Sequence, residues 1–109
     1  MSLVIAAMPA YNEERSIAKM VLGAKRHVDT VVVVDDGSSD ATAEIAQALG
    51  AYVVRHPENL GDGGALRSCF ETARGLGADK MVIVDPDGQH DPAETPKLPD
   101  PLATELDQV

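Results

Sequence analysis

Residues 30–34 read TVVVV, an unbroken β-branched run closed by Asp35 and Asp36. Side chains branched at Cβ are stiff and pack well on a pleated surface. The run does not alternate with polar residues, so a strand built from it has to be covered on both faces, as strands of a parallel sheet are. Parallel strands cannot be joined by a tight turn; each needs a crossover of roughly a dozen residues or more, usually a helix. The rest of the sequence must therefore alternate strand and helix. Residues 3–7 (LVIAA), 51–55 (AYVVR) and 80–84 (KMVIV) supply three more strand-length apolar runs. Ile17, Met20, Val21, Ala24 and Val28 recur at helical spacing, which predicts a helix over 13–26 capped by Asn12. Ala41, Ile45, Ala48 and Leu49 mark a second helix, with Ser38, Ser39 and Asp40 as cap candidates and Gly50 as its stop. Residues 57–64 read as a loop with three glycines. A third helix follows to Leu76, with Leu66, Cys69, Phe70 and Ala73 on one face and Gly75 and Gly77 at its end. The prediction is a three-layer α/β/α fold around a mostly parallel open sheet, joined by right-handed crossovers.

The 109 residues suffice for one domain. Aromatic residues are only 3% of the chain, so the core has to come from Val, Ile, Leu and Ala. A formal net charge of -9 leaves no basic stripe for a nucleic-acid backbone and excludes that partner class. The single Cys69 excludes an intramolecular disulfide and a cysteine zinc cluster, fits a cytoplasmic setting, and reads best as a small core residue. No apolar run reaches the ~18 residues of a membrane span, and no secretory leader pattern opens the sequence. After Asp91 the character changes: Pro92, Pro96, Pro99 and Pro101 crowd together. A short helix over 93–98 and a polar tail over 99–109 are expected, which makes 1–98 the domain.

Ligands of open parallel sheets bind beyond the carboxyl ends of the strands. Those ends are followed here by Met8-Pro9-Ala10-Tyr11-Asn12-Glu13, by Asp35-Asp36-Gly37-Ser38-Ser39, by the glycine loop, and by Asp85-Pro86-Asp87-Gly88-Gln89-His90. Asp85 and Asp87 flank one residue, so both carboxylates can converge on one cation with Gln89 as a further oxygen ligand. Oxygen donors with room for water suit Mg²⁺ or Mn²⁺. The competing reading is a solvated turn, because Asp-Pro-Asp-Gly is good turn chemistry. At the second strand end, one carboxylate of the Asp35-Asp36 pair can fix the turn while the other accepts from a base N–H or a ribose hydroxyl, or both can simply start the next helix. Tyr11 can stack on a nucleobase or anchor its loop. The glycine loop is no dinucleotide fingerprint, because the last glycine of that pattern would fall at Leu66 and the loop follows the third strand. Arg67 faces either ligand or solvent.

Four segments taken together resemble the family 2 glycosyltransferases with the GT-A fold, above all the dolichyl-phosphate and polyprenyl-phosphate sugar synthases. They are PAYNEE at 9–14, VVVVDDGSSD at 31–40, NLGDGGAL at 59–66 and VDPDGQHDP at 84–92. The resemblance covers residues 3 to 98. It implies that Pro9, Ala10, Tyr11 and Glu13 hold the nucleotide, that Asp36 contacts the base with Val34 nearby, and that Asp85, Pro86 and Asp87 lie at the diphosphate. It implies that Asp85, Asp87 and Gln89 hold Mg²⁺ or Mn²⁺. The implied activity is inverting transfer of sugar from a UDP- or GDP-sugar to an acceptor such as a membrane lipid phosphate, with cytoplasmic or peripheral membrane placement. Two departures stand out. Pro86 removes a backbone N–H, and Asp62 stands where relatives often carry Lys or Arg.

Members of that family continue past the point where this sequence stops, and their acceptor groove and acidic general base lie in that part. The sequence is thus expected to be a truncated donor half, with no catalytic residue assignable. The alternative is a non-catalytic nucleotide-binding module that needs a missing half or a partner chain. The resemblance also implies strand order 3-2-1-4 with a later strand beside the fourth. Without that strand an apolar edge is exposed, and self-association through it is expected. An Asp-x-Asp-Gly at a strand end also occurs in haloacid dehalogenase phosphatases, and an acidic pair in response-regulator receivers, but both belong after a first strand.

Overall fold

A computed structural model describes residues 2–85. Its elements follow in the order β1 (Val4–Ala10), α1 (Ile17–Lys25), β2 (Thr30–Asp35), α2 (Thr42–Ala48), β3 (Tyr52–Arg55), α3 (Gly61–Gly75) and β4 (Lys80–Ile83). All strand pairs are parallel and the order is β3-β2-β1-β4. The path steps outward from β1 to β3, then returns to the far side of β1. Right-handed crossovers put helices on one face while the path moves one way and on the other face when it reverses. So α1 and α2 cover one face and α3 the other.

The two faces are legible in the alternation along each strand. Ala6, Met8, Val31, Val33 and Val82 pack with Ile17, Met20, Val21, Ala24 and Ala46. Their neighbours Ile5, Ala7, Val32, Val34 and Met81 pack with Ala65, Cys69 and Ala73 of α3. The β-branched run of β2 is thus buried on both sides, as its composition requires. Cys69 is fully buried, and burial pushes its thiol up to about 12, which makes it an inert core residue.

Three boundaries differ by three residues or more from those predicted. β1 runs on to Ala10 through Pro9, where Pro9 pairs with Val34. The Ala7 carbonyl accepts from Val84 on the β4 side and the Ala10 carbonyl from Asp36 on the β2 side, so Pro9 points toward β4. The β4 ladder has ended by then, and the missing N–H costs no ladder bond. α1 begins at Ile17, not residue 13, and Asn12 does not cap it: Asn12 sits at φ 52 and its Oδ1 accepts the Ser39 N–H at 2.9 Å. α3 begins at Gly61, so the expected glycine loop forms its first turn. The helix 93–98, the tail 99–109 and the domain boundary between them lie outside the described residues, as do Pro86, Asp87 and Gln89.

Candidate functional site

The reversal in strand order falls between β1 and β4, where ligands of open α/β sheets bind. A cleft of about 490 Å³ opens there, lined by Pro9, Ala10, Tyr11, Glu13, Asp36, Asp62, Ala65, Leu66, Ile83 and Asp85. That size lies within the usual range for a small-molecule site. Six of the ten residues were expected at a nucleotide from the sequence. Val34, also expected near the base, is fully buried against α3 and does not reach the cleft wall. Arg67 is exposed and is not part of that wall either.

The loops after β1 and β2 are bonded to each other. The Asn12 N–H donates to Ser38 Oγ at 2.8 Å, the Glu13 N–H to Thr42 Oγ1 at 2.8 Å and the Glu14 N–H to Asp40 Oδ2 at 3.3 Å. Asp40 in turn accepts from the Thr42 hydroxyl and N–H. Burial pushes the Asp40 carboxyl up, but the bonds from Thr42 and Glu14 outweigh it and hold the group below its ordinary range. The backbone that carries Tyr11 and Glu13 is thus fixed by side chains of the second loop. Tyr11 itself is 49% exposed at the cleft.

Asp35 and Asp36 divide their tasks. Asp35 Oδ1 accepts the Ser38 N–H at 3.1 Å and Oδ2 lies 3.9 Å from Arg55 Nε, so this residue shapes the turn. Asp36 is only 5% exposed. Its Oδ1 accepts from Leu60 N–H at 2.8 Å and from His56 Nδ1 at 2.8 Å, and its Oδ2 from Gly61 N–H at 3.1 Å. It therefore caps α3 from a distant part of the chain, at the end where the helix dipole favours an anion. Burial raises the Asp36 carboxyl, and the bonds from His56, Leu60 and Gly61 together bring it below its ordinary range. Gly37 is required beside it: φ is +81°, and a Cβ would lie 2.6 Å from Asn59 N and Glu58 C.

His56 and Ser68 were not picked out from the sequence. His56 Nε2 lies 2.7 Å from Ser68 Oγ, so a relay runs from Asp36 through His56 into α3. The available signal was slight: a histidine directly after a strand, at the same sheet edge as the acidic residues.

The profile described as Glycosyl transferase family 2 matches residues 5–109. The chain belongs to this family. As a family 2 glycosyltransferase sequence it is 34% identical to the UDP-N-acetylglucosamine–dolichyl-phosphate N-acetylglucosaminyltransferase of Methanococcus voltae, over 92% of this chain and 47% of that one. It is also 34% identical to the undecaprenyl-phosphate 4-deoxy-4-formamido-L-arabinose transferase of Pseudomonas aeruginosa, over 98% of this chain and 34% of that one. Among solved structures, glucosyl-3-phosphoglycerate synthase from Mycobacterium tuberculosis in complex with UDP superposes with a TM-score of 0.75 at 30% identity, covering 94% of this chain and 40% of the enzyme. The same enzyme with Mn²⁺, UDP and glucosyl-3-phosphoglycerate gives 0.65 at 29%, covering 78% and 33%. The fold of this family 2 chain is GT-A, and the chain spans less than half the length of each of these relatives.

Proposed function

We propose that this chain is the donor-binding half of a sugar transferase and holds a UDP- or GDP-sugar in the cleft between the β1 and β4 ends. The observation that carries the reading is the convergence of Pro9, Ala10, Tyr11, Glu13, Asp36 and Asp85 on that one cleft, from three different strand ends. In this reading the Tyr11 ring takes the base. Asp36 uses three of a carboxylate's roughly four acceptor sites internally and offers the remaining capacity at Oδ2 to the base or ribose. The diphosphate lies toward Asp85.

The donor set of the cleft wall fits a hard divalent ion. Glu13, Asp36, Asp62 and Asp85 contribute carboxylates, and no Lys, Arg, His or Cys is among the described wall residues. Among the described residues no group of three or more His, Cys, Asp or Glu is arranged around a common point. In this reading the ion is held by Asp85, Asp87 and Gln89 and completed by phosphate and water. Among the described wall residues a diphosphate would meet only carboxylate charge, which a bound ion would offset. When bound, Mg²⁺ or Mn²⁺ neutralises the charge that develops on a departing diphosphate.

The acceptor proposed is a polyprenyl phosphate, on the strength of the archaeal and Pseudomonas relatives. No described helix is long and apolar enough to cross a membrane, and peripheral placement through the acceptor is the reading we favour. The second reading is a non-catalytic nucleotide-binding module that needs a missing half or a partner chain. Sugar transfer by this chain on its own would overturn it. The test of the main reading is calorimetric titration with UDP and GDP, with and without Mn²⁺, on the wild type and on D85A/D87A. Binding that requires Mn²⁺ and loses that dependence in the double variant is expected. Binding with unchanged metal dependence would remove these residues from the ion site.

A further inference from the structure

We infer that His56 is a positioning residue for the nucleoside, acting through Asp36; the inference rests on the donor-binding reading above. An ionised carboxylate can only accept, so the 2.8 Å contact requires the His56 proton on Nδ1. In the neutral ring Nε2 is then an acceptor, and the Ser68 hydroxyl donates to it across 2.7 Å. The imidazole is nearly buried, with its side chain 9% exposed, and is held at both nitrogens. It therefore has one orientation, and it passes that orientation to Asp36.

The two backbone donors hold the carboxylate incompletely, because the Gly61 N–H is shared with Asn59 Oδ1 at 2.9 Å. Leu60 N–H binds Oδ1 and Gly61 N–H binds Oδ2, both from the α3 side. His56 binds Oδ1 from the end of β3, and this third direction decides where the last acceptor position of Oδ2 points. Arg55 does not take its place, because it lies beside Asp35 and Glu44 instead. Ser68 sits in α3, which contributes Asp62, Ala65 and Leu66 to the cleft wall. The relay thus locks the base-binding carboxylate to the helix that forms the opposite wall. His56 is not among the described residues of the cleft wall, so its effect should be confined to the nucleoside held by Asp36.

The experiment is calorimetry on the full chain with two probes, the nucleoside diphosphate (UDP and GDP each) and inorganic pyrophosphate, both with Mn²⁺. H56L should weaken nucleoside diphosphate binding about tenfold, the loss of one hydrogen bond at a charged group. Pyrophosphate affinity should stay within about twofold of the wild type. H56Q, whose amide can donate to Asp36 and accept from Ser68, should recover most of the loss. If H56L does not fold, S68A takes its place, with a weaker nucleoside-specific loss expected. Equal affinity of wild type and H56L (or S68A) for the nucleoside diphosphate overturns the inference and leaves the donor-binding reading standing. A proportional loss of both probes, or no recovery in H56Q, overturns it in favour of a merely structural role. A wild type that binds neither UDP nor GDP overturns the donor-binding reading and this inference together.

Discussion

Replacing Asp36 with Ala removes an acceptor from three donors at once, the N–H groups of Leu60 and Gly61 and the imidazole of His56, of which only Gly61 keeps a second acceptor, Asn59 Oδ1 at 2.9 Å. Hydrogen bonds to a charged group are worth about 1.5–3 kcal/mol each. The three are not additive, and water entering through the open cleft can solvate part of what is left. The loss of a distant cap on α3 belongs to the same sum, at about 1 kcal/mol. A net destabilisation of about 3 kcal/mol follows, a large fraction of the roughly 5–15 kcal/mol that holds a domain together. With a urea slope of about 1.5 kcal/mol/M, the midpoint should fall by about 2 M. Equilibrium unfolding followed by far-UV circular dichroism at neutral pH measures it. The pH dependence provides a second check. The folded-state carboxyl is held below its ordinary value of 3.8. Its stabilising contribution is therefore complete above that value and is lost as pH falls through the lower folded-state value. The gap between D36A and wild type should close in acid. A midpoint shift under about 0.3 M at neutral pH, or a gap of the same size in acid, would refute the assignment of Asp36 as the buried cap of α3.

Two further outcomes are expected. G37A should destabilise by about 2 kcal/mol or more, because it forces a side chain into positive φ and into the backbone of Glu58 and Asn59; a wild-type melting temperature would show that the two loops can separate cheaply. Among the described residues β4 pairs only with β1, so self-association through its other edge is expected in sedimentation at rising protein and salt concentration, against the repulsion of a net charge of -9. A clean monomer in moderate salt would mean that this edge is covered from within the chain.

Fold class was readable because it rests on local signals. The TVVVV run requires two covered faces, the 3.6-residue spacing of Ile17, Met20, Val21 and Ala24 specifies a helix, and Gly50 at φ +92° ends α2 as a stop residue should. The strand order came from family resemblance, not from periodicity, and the sheet bears it out. The boundaries that moved are those where a distant partner overrides local preference. Asn12 is a good cap residue by type, but its amide is taken by Ser39 across the gap between two loops. Gly61, Gly63 and Gly64 are poor helix residues, but Asp36 caps the turn they form.

At the site the same division holds. Which residue types stand at the strand ends is written in the motifs: a tyrosine and a glutamate after β1, two aspartates at the end of β2, an aspartate after β4. Parallel topology then places them on one edge with no further information. The separate tasks of Asp35 and Asp36 could not be assigned in advance, because adjacent side chains at a strand end point to opposite sides and only packing tells which side holds α3. The contact of Asp36 with His56, and of His56 with Ser68, joins residues 20 and then 12 positions apart. No periodicity encodes such a meeting. It exists because β3 lies beside β2 in register, with Arg55 opposite Asp35, and because the reversal of the chain path carries α3 across the face above them.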